Sequence, residues 1–571
     1  MALDRGVRTA LPALVLAALP PLTPAEVARY EFELLASDQP AVRVRLRVRG
    51  TASGVSHVVV QPHWGGVQEC QRFIHGLGAS SRGQRLVLSG IDDRPHAWRV
   101  KHAPGAELEF TYELRAEDSD PLTTPGNCYR PVVRADLFHL IGETGLILPE
   151  WMDENTPHDF RLAWSGFEER GWKTVTSLGD VQAGKTVRIA PAQFRHSLFM
   201  AGHIRIYDRD IKGRKLRVAV FGDDWDFADD ELVELVQRIV TVERDLFDDH
   251  SDPYYLVTLI PTGRRDPHSR SLGGTALDNC FALFVQPGPT LEAGSDDAAA
   301  LARLLAHEYF HRWNGERLRM ADPEELVYWF SEGFTDYYAA RLLLKAKIID
   351  DKRWVDWLNE TLTAYWTSRA RMLPNEAIVG QFWGQSDIQK LPYRRGEIVA
   401  ALTDWEIRHR SGSERSLDHL LRAMVAAARR NPARLTTPMI LKQIERWTSA
   451  DFAARVGRIV IDGELPEFPA AFHSRALKVQ MVDRHVYDLG FDLEASMAKR
   501  EITGVREHSA AHRAGLRDGQ KTAGYSIHHG RTDRPVRITV EDASGARDIE
   551  FLPLGEAVAT PQFELIGSLG F

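Results

Sequence analysis

The 571-residue sequence predicts a multidomain α+β protein, and three observations carry that prediction. The chain is longer than one hydrophobic core can serve, so about three or four domains are expected. Its first 200 or so residues are rich in apolar–polar alternation with a period of two, the mark of half-buried strands. From about residue 214 strands mix with helical patterns, helices dominate to about 460, and short strands return over roughly the last ninety residues. The implied division is 1–25, 28–205, 206–475 and 480–560.

Residues 1–25 read as an export signal. Arg5 and Arg8 precede the apolar run TALPALVLAALPPLTPA (9–25), which is too short and too broken by proline to span a bilayer as a mature helix. The expected location is therefore outside the cytoplasm, periplasmic or secreted. No later segment approaches about 18 uninterrupted apolar residues, so no transmembrane segment is expected in the mature chain. The net charge of −8 is spread without acidic or basic blocks, which argues against nucleic acid and anionic membrane as partners.

The segment 28–205 predicts a β-sandwich-like domain. In VRVRLRVRG, Val42, Val44, Leu46 and Val48 alternate with Arg43, Arg45, Arg47 and Arg49, so the arginines form a solvated strand face rather than a basic patch. HVVVQ, RLVLSG, AWRVKH and LEFTYELRAE follow between turn residues. Cys70 and Cys128 fall in this region and could pair in an exported protein, although unpaired buried thiols fit equally well. With Cys280 they are the only cysteines, too scattered for a cysteine zinc site.

KLRVAVFG, YYLVTLIP and NCFALFVQP then read as strands, with the helical ADDELVELVQRIVTVERDLF between the first two. In GSDDAAALARLLAHEYFHRWN, Ser295 is the expected N-cap, and Asp296 and Asp297 suit the first turn of the helix. His307 and His311 then lie one turn apart on one face and can chelate one ion, with Glu308 beside them. The five residues alone also fit a core helix with two satisfied histidines.

Zinc hydrolysis needs three protein ligands and an open position. ADPEELVYWFSEGFTDYYAARLLLKA predicts a second helix, with Asp322 as N-cap and Pro323 at its first position. Glu332 lies on it, 21 residues after His311, and Asp336 one turn further suits a partner for a ligand imidazole. Carboxylates within such an apolar, aromatic helix need partners of their own.

The motifs HEYFHRWNGERLR and WFSEGFTDYYA resemble those of the gluzincin metallopeptidases, specifically the glycyl aminopeptidase family. That resemblance implies a thermolysin-like catalytic domain over 206–475 and a PDZ-like domain over 480–560. It implies one Zn2+ per chain on His307, His311 and Glu332, with Glu308 as general base and Asp336 supporting His307. In LPYRRGEIVAALTDWEIR, Tyr393 matches the family's oxyanion-stabilising tyrosine.

The match is incomplete at two places. The family's Gly-Gly-x-x-Glu-His-like strand corresponds here to GGTALDNCFALFV, which keeps Gly273 and Gly274 but has Leu277, Asp278 and Asn279 near the Glu-His position. Asp278 could take the substrate amine, or could be a turn residue. In DLGFDLE, Leu489, Gly490 and Phe491 resemble a PDZ carboxylate loop that would receive a peptide C-terminus, although Ala510 and Gln520 replace the usual Pro and Asp downstream.

The leading expectation is a zinc aminopeptidase removing small N-terminal residues, Gly or Ala, from peptide substrates. An endopeptidase with altered anchoring stands as the alternative, and a non-catalytic peptide-binding scaffold as the third.

Overall fold

The computed structural model describes residues 28–569 except 37–38, 117–121, 181–184, 267–270, 469–475 and 543–544. The expected export signal lies outside the described residues. The chain forms two compact units, one of residues up to 210 with 215–224 and 253–288, the other of 211–214, 225–252 and 289 onward.

In the first unit a seven-stranded sheet runs Thr186–Ile189, His158–Ser165, Ala28–Leu34, Ala41–Arg49, Glu107–Arg115, His75–Ser81, Gln84–Leu86. One core joins its inner face to residues of two four-stranded sheets, with Phe32, Leu46 and Phe110 meeting Phe138, Phe199, Val58 and Val100. Val42, Val44, Leu46 and Val48 are at most 1% exposed, as the alternation predicts. The opposite face is more ordered than a merely solvated one. Arg43 bridges Glu33 and Glu113 at 3.2 and 3.1 Å, Arg45 reaches Glu31 at 3.1 Å, and Arg47 reaches Glu109 at 2.7 Å. Two short helices, α1 (Gly142–Gly145) and α2 (Pro191–Arg195), interrupt the strands. Cys70, Cys128 and Cys280 are buried free thiols, so the Cys70–Cys128 pairing is not formed.

The five strands Arg205–Ile211, Arg214–Val220, Tyr254–Pro261, Cys280–Val285 and Leu272–Leu277 build a further sheet in that order. It belongs with the first unit almost entirely, so the boundary near 205 drawn from the sequence does not separate compact bodies. The strand-like composition at 214–285 was legible; its allegiance was not, because allegiance depends on contacts far apart in sequence.

The second unit is mostly helical. Its main helices are α3 (Asp229–Phe247), α4 (Asp296–Phe310), α5 (Tyr328–Ser331), α6 (Gly333–Lys345), α7 (Asp351–Trp366), α8 (Ser386–Ser411), α9 (Leu417–Arg430), α10 (Thr437–Trp447) and α11 (Ala450–Gly457). α6 packs on α3, α4, α7 and α8, while α5 lies against α8. α4 begins as expected: the Ser295 hydroxyl accepts from Ala298 N at 3.1 Å, above Asp296 and Asp297.

The second predicted helix is corrected. Asp322 and Pro323 do not start it; a 3-10 turn, Glu324–Leu326, follows, then α5, and Glu332 joins α5 to α6. The physical reason is the crossing with α8. A Cβ on Gly333 would lie 2.3 Å from Gly396 Cα, and one on Gly396 would lie 1.8 Å from Trp329 O. The two backbones touch, and the chain bends at that contact.

The C-terminal part of this unit pairs Leu477–Tyr487 with Leu554–Leu565 and adds the sheet Lys521–Ser526, Val536–Asp542, Gly545–Phe551. Two helices, α12 (Leu493–Lys499) and α13 (Ala510–Arg513), complete it. Asn359 of α7 ties this part down: its side chain donates to Phe563 O at 2.8 Å and accepts from Phe563 N at 2.7 Å.

Candidate metal centre

His307 and His311 stand one turn apart at the end of α4, and the α5–α6 junction brings Glu332 to them. Their Nε2 atoms are 3.1 Å apart and lie 3.3 and 3.5 Å from Glu332 Oε2. A tetrahedral zinc with ligands at about 2.05 Å demands ligand–ligand spacings of about 3.3 Å. The donor triangle therefore has the size and the His2Glu chemistry for that ion. Among the described residues it is the one cluster of three such donors.

Both imidazoles are set to present Nε2. His307 Nδ1–H donates to Asp336 Oδ1 at 2.9 Å, and His311 Nδ1–H donates to Asn314 O at 3.1 Å. Burial pushes both imidazoles down, but Asp336 and Glu332 raise His307 well above its usual range, and Glu332 raises His311. Against its own burial, Glu332 is held well below the usual carboxylate range by His311 and His307.

Glu308 sits beside His307 on α4, half-buried, and its charge reaches both His311 and the Tyr393 phenol. Tyr393 is not at a helix start, since α8 begins at Ser386. Its ring lies nearly parallel to that of His307, centroids 6.2 Å apart. Burial, then Glu332, Asp336 and Glu308, push its phenol up, so it is a proton-bearing donor at any ordinary pH. Two residues on, Arg395 is fully buried and donates to the carbonyls of Arg371 and Leu373 at 3.1 and 2.8 Å.

Sequence reasoning missed a layer behind Asp336. Arg303, one turn before His307, is close enough for its charge to help hold Asp336 as a carboxylate, and it contacts Glu397 of α8 at 3.4 Å. Thr361 of α7 donates to the same Glu397 at 2.7 Å. The helical period alone could have flagged these positions: Arg303 is four before His307, and Glu397 four after Tyr393.

Gly273 and Gly274 lie on the edge strand Leu272–Leu277 of the first unit, where Tyr129 donates to Gly274 O at 2.8 Å. A Cβ on Gly274 would sit 2.3 Å from the Phe281 ring, so packing explains this glycine. Asp278 and Asn279 are the two-residue tip of a hairpin, Asn279 with φ of 56°, and Asp278 N donates to His196 O at 3.2 Å. Asp278 is thus the turn residue rather than a strand residue.

The Leu489–Phe491 segment also departs from expectation. Gly490, with φ of 77°, donates its amide to Asp488 Oδ1 at 2.9 Å, and Asp488 pairs with Arg506 and, at 3.1 Å, with Arg369. A carboxylate of the chain itself occupies that amide. After Phe491 the chain enters α12, not the edge strand on which a peptide would be added.

Residues 300–377 match the M61 glycyl aminopeptidase family. No curated protein matches the chain. Among solved structures, an aminopeptidase N family protein from Idiomarina loihiensis shares the fold at a TM-score of 0.73 and 16% identity, covering 95% of this chain and 98% of that one. A mutant M1 zinc metallopeptidase from Deinococcus radiodurans, bound to a Tyr-Ser-Ala substrate, gives a TM-score of 0.46 at 15% identity over 78% of this chain and 95% of that one.

Proposed function

We propose that this chain, whose residues 300–377 match the M61 glycyl aminopeptidase family, is a zinc metallopeptidase that removes small N-terminal residues, Gly or Ala, from peptides. The observation that carries the proposal is the triangle of His307, His311 and Glu332, sized for one zinc ion per chain. A zinc held there would supply Lewis acidity, acidifying water and polarising the scissile carbonyl.

The chain's own groups do the rest in this reading. Glu308 takes the proton of the attacking water and passes it to the leaving amine. Tyr393, still protonated, donates its hydroxyl to the developing oxyanion. Asp336 keeps the His307 Nδ1 proton in place, so that Nε2 offers a lone pair.

The replacement of the family's Glu-His by Leu277, Asp278 and Asn279 favours a second reading, an endopeptidase that does not anchor a free amine. Capture of a peptide C-terminus at Leu489, Gly490 and Phe491 loses support, since Asp488 already engages the loop. A scaffold without catalysis has no use for Glu308 and Tyr393 beside the donors.

The test is hydrolysis of free and N-acetylated peptides of one sequence, with and without chelator. Chelator-sensitive cleavage of the free peptide alone supports the aminopeptidase. Equal rates on both establish the endopeptidase reading, and no cleavage of either sinks the enzymatic one.

A further inference from the structure

The stretch HEYFHRWN ends on Asn314, for which the reaction above has no use. The side chain is nonetheless buried, 1% exposed, and engaged on both sides of the metal centre. Its backbone oxygen accepts from His311 Nδ1 at 3.1 Å. Its side-chain amide donates to Phe330 O at 2.9 Å, to Ser331 O at 3.2 Å and to Thr335 Oγ1 at 3.2 Å. The first two acceptors are the carbonyls immediately before Glu332, and the third lies immediately before Asp336.

This contact falls where the helical run is broken, between α5 and α6. Backbone bonds within the run fix its local path, with Glu332 N donating to Tyr328 O at 2.8 Å and Asp336 N to Glu332 O at 2.9 Å, whereas its distance from α4 is set by contacts from outside the run. Only a residue with two N–H donors and no charge serves there. Aspartate would set a carboxylate against carbonyl oxygens, and alanine would leave buried acceptors with one partner fewer.

We propose that Asn314 is a positioning residue for the metal: it holds the Glu332 junction at the distance from α4 that closes the donor triangle. The inference rests on the reading of His307, His311 and Glu332 as zinc ligands. Asn314 touches neither the ion nor the substrate and acts through the two ligands it orients.

The test compares Asn314→Asp and Asn314→Ser with the parent, and with Asn375→Ala as control. Asn375 is likewise buried, 4% exposed, and its amide donates to Leu326 O at 2.7 Å, but it contacts none of the ligands. Zinc affinity is measured on the full chain by competition with a chromophoric chelator. The visible spectrum of the cobalt-substituted protein reports ligand geometry, and circular dichroism reports folding. The expected result is a zinc affinity lowered about 10–100-fold in both Asn314 variants, with altered cobalt bands. Asn375→Ala should lose thermal stability while keeping parental affinity and spectrum. The serine variant, which retains one donor, covers the case in which the aspartate variant does not fold. Parental affinity and spectrum in a folded Asn314 variant, or an equal loss in Asn375→Ala, would overturn the assignment. A parent that binds no zinc overturns the ligand reading itself, a different and separable failure.

Discussion

Asp336 Oδ1 accepts the Nδ1 proton of His307 at 2.9 Å, from one helical turn beyond Glu332. The α5–α6 junction thus supplies a carboxylate toward the donor triangle, and the first turn of α6 another toward the back of the imidazole. Asp336→Ala is expected to weaken zinc binding about 10–100-fold, measured by chelator competition, while Glu308→Gln leaves binding close to parental. A Glu308→Gln protein that binds zinc and still hydrolyses peptide at the parental rate would overturn the role given to that residue.

Tyr393→Phe removes a single hydroxyl from a buried ring. As an oxyanion donor it should cost about 10²–10³ in kcat, with zinc content unchanged. Steady-state kinetics on a Gly- or Ala-initiated peptide decide it: a change confined to KM contradicts the role.

How far the sequence reached can be judged at these residues. His307, His311, Glu332 and Asp336 were legible because helical spacing of 4 is a local property. The path of the second helix was not, because its break comes from Gly396, 63 residues after Gly333 in sequence and in contact with it. Alternation identified the strand Ala41–Arg49, but its glutamate partners come from strands at 28–34 and 107–115, and pairing leaves no local trace. Asp278 looked equally like an anchor or a turn until the hairpin register was known.

Asp249 links acid stability to the metal helix. Burial alone would raise its carboxyl; Ser251, the Trp313 indole N–H at 2.9 Å and Arg429 bring it down to about 2 instead. A depressed carboxylate stabilises the fold above the unfolded pKa near 4 and loses that contribution as pH falls toward 2, a difference of roughly 2 kcal/mol. Asp249→Asn should therefore lower stability at pH 7 and narrow its gap to the parent near pH 2, in urea unfolding at both. A gap independent of pH contradicts the account.

Gly396→Ala places a methyl group on the Trp329 carbonyl, where 1.8 Å is available. Backbone must move, so the loss should be about 3 kcal/mol or more, with activity falling because Glu332 and Tyr393 flank that contact. Thermal unfolding checks it, and a parental melting temperature would show that α5 and α8 separate freely.

The bonds between Asn359 and Phe563 span 204 residues, and Leu569 N reaches Asp351 at 3.2 Å across 218. During synthesis, α7 therefore leaves the ribosome long before the strand that completes its surface. That helix also carries Thr361, whose hydroxyl reaches Glu397 behind the metal centre. The packing surface of α7 is therefore completed only once Leu554–Leu565 has been translated, which makes it one of the last long-range closures of the fold.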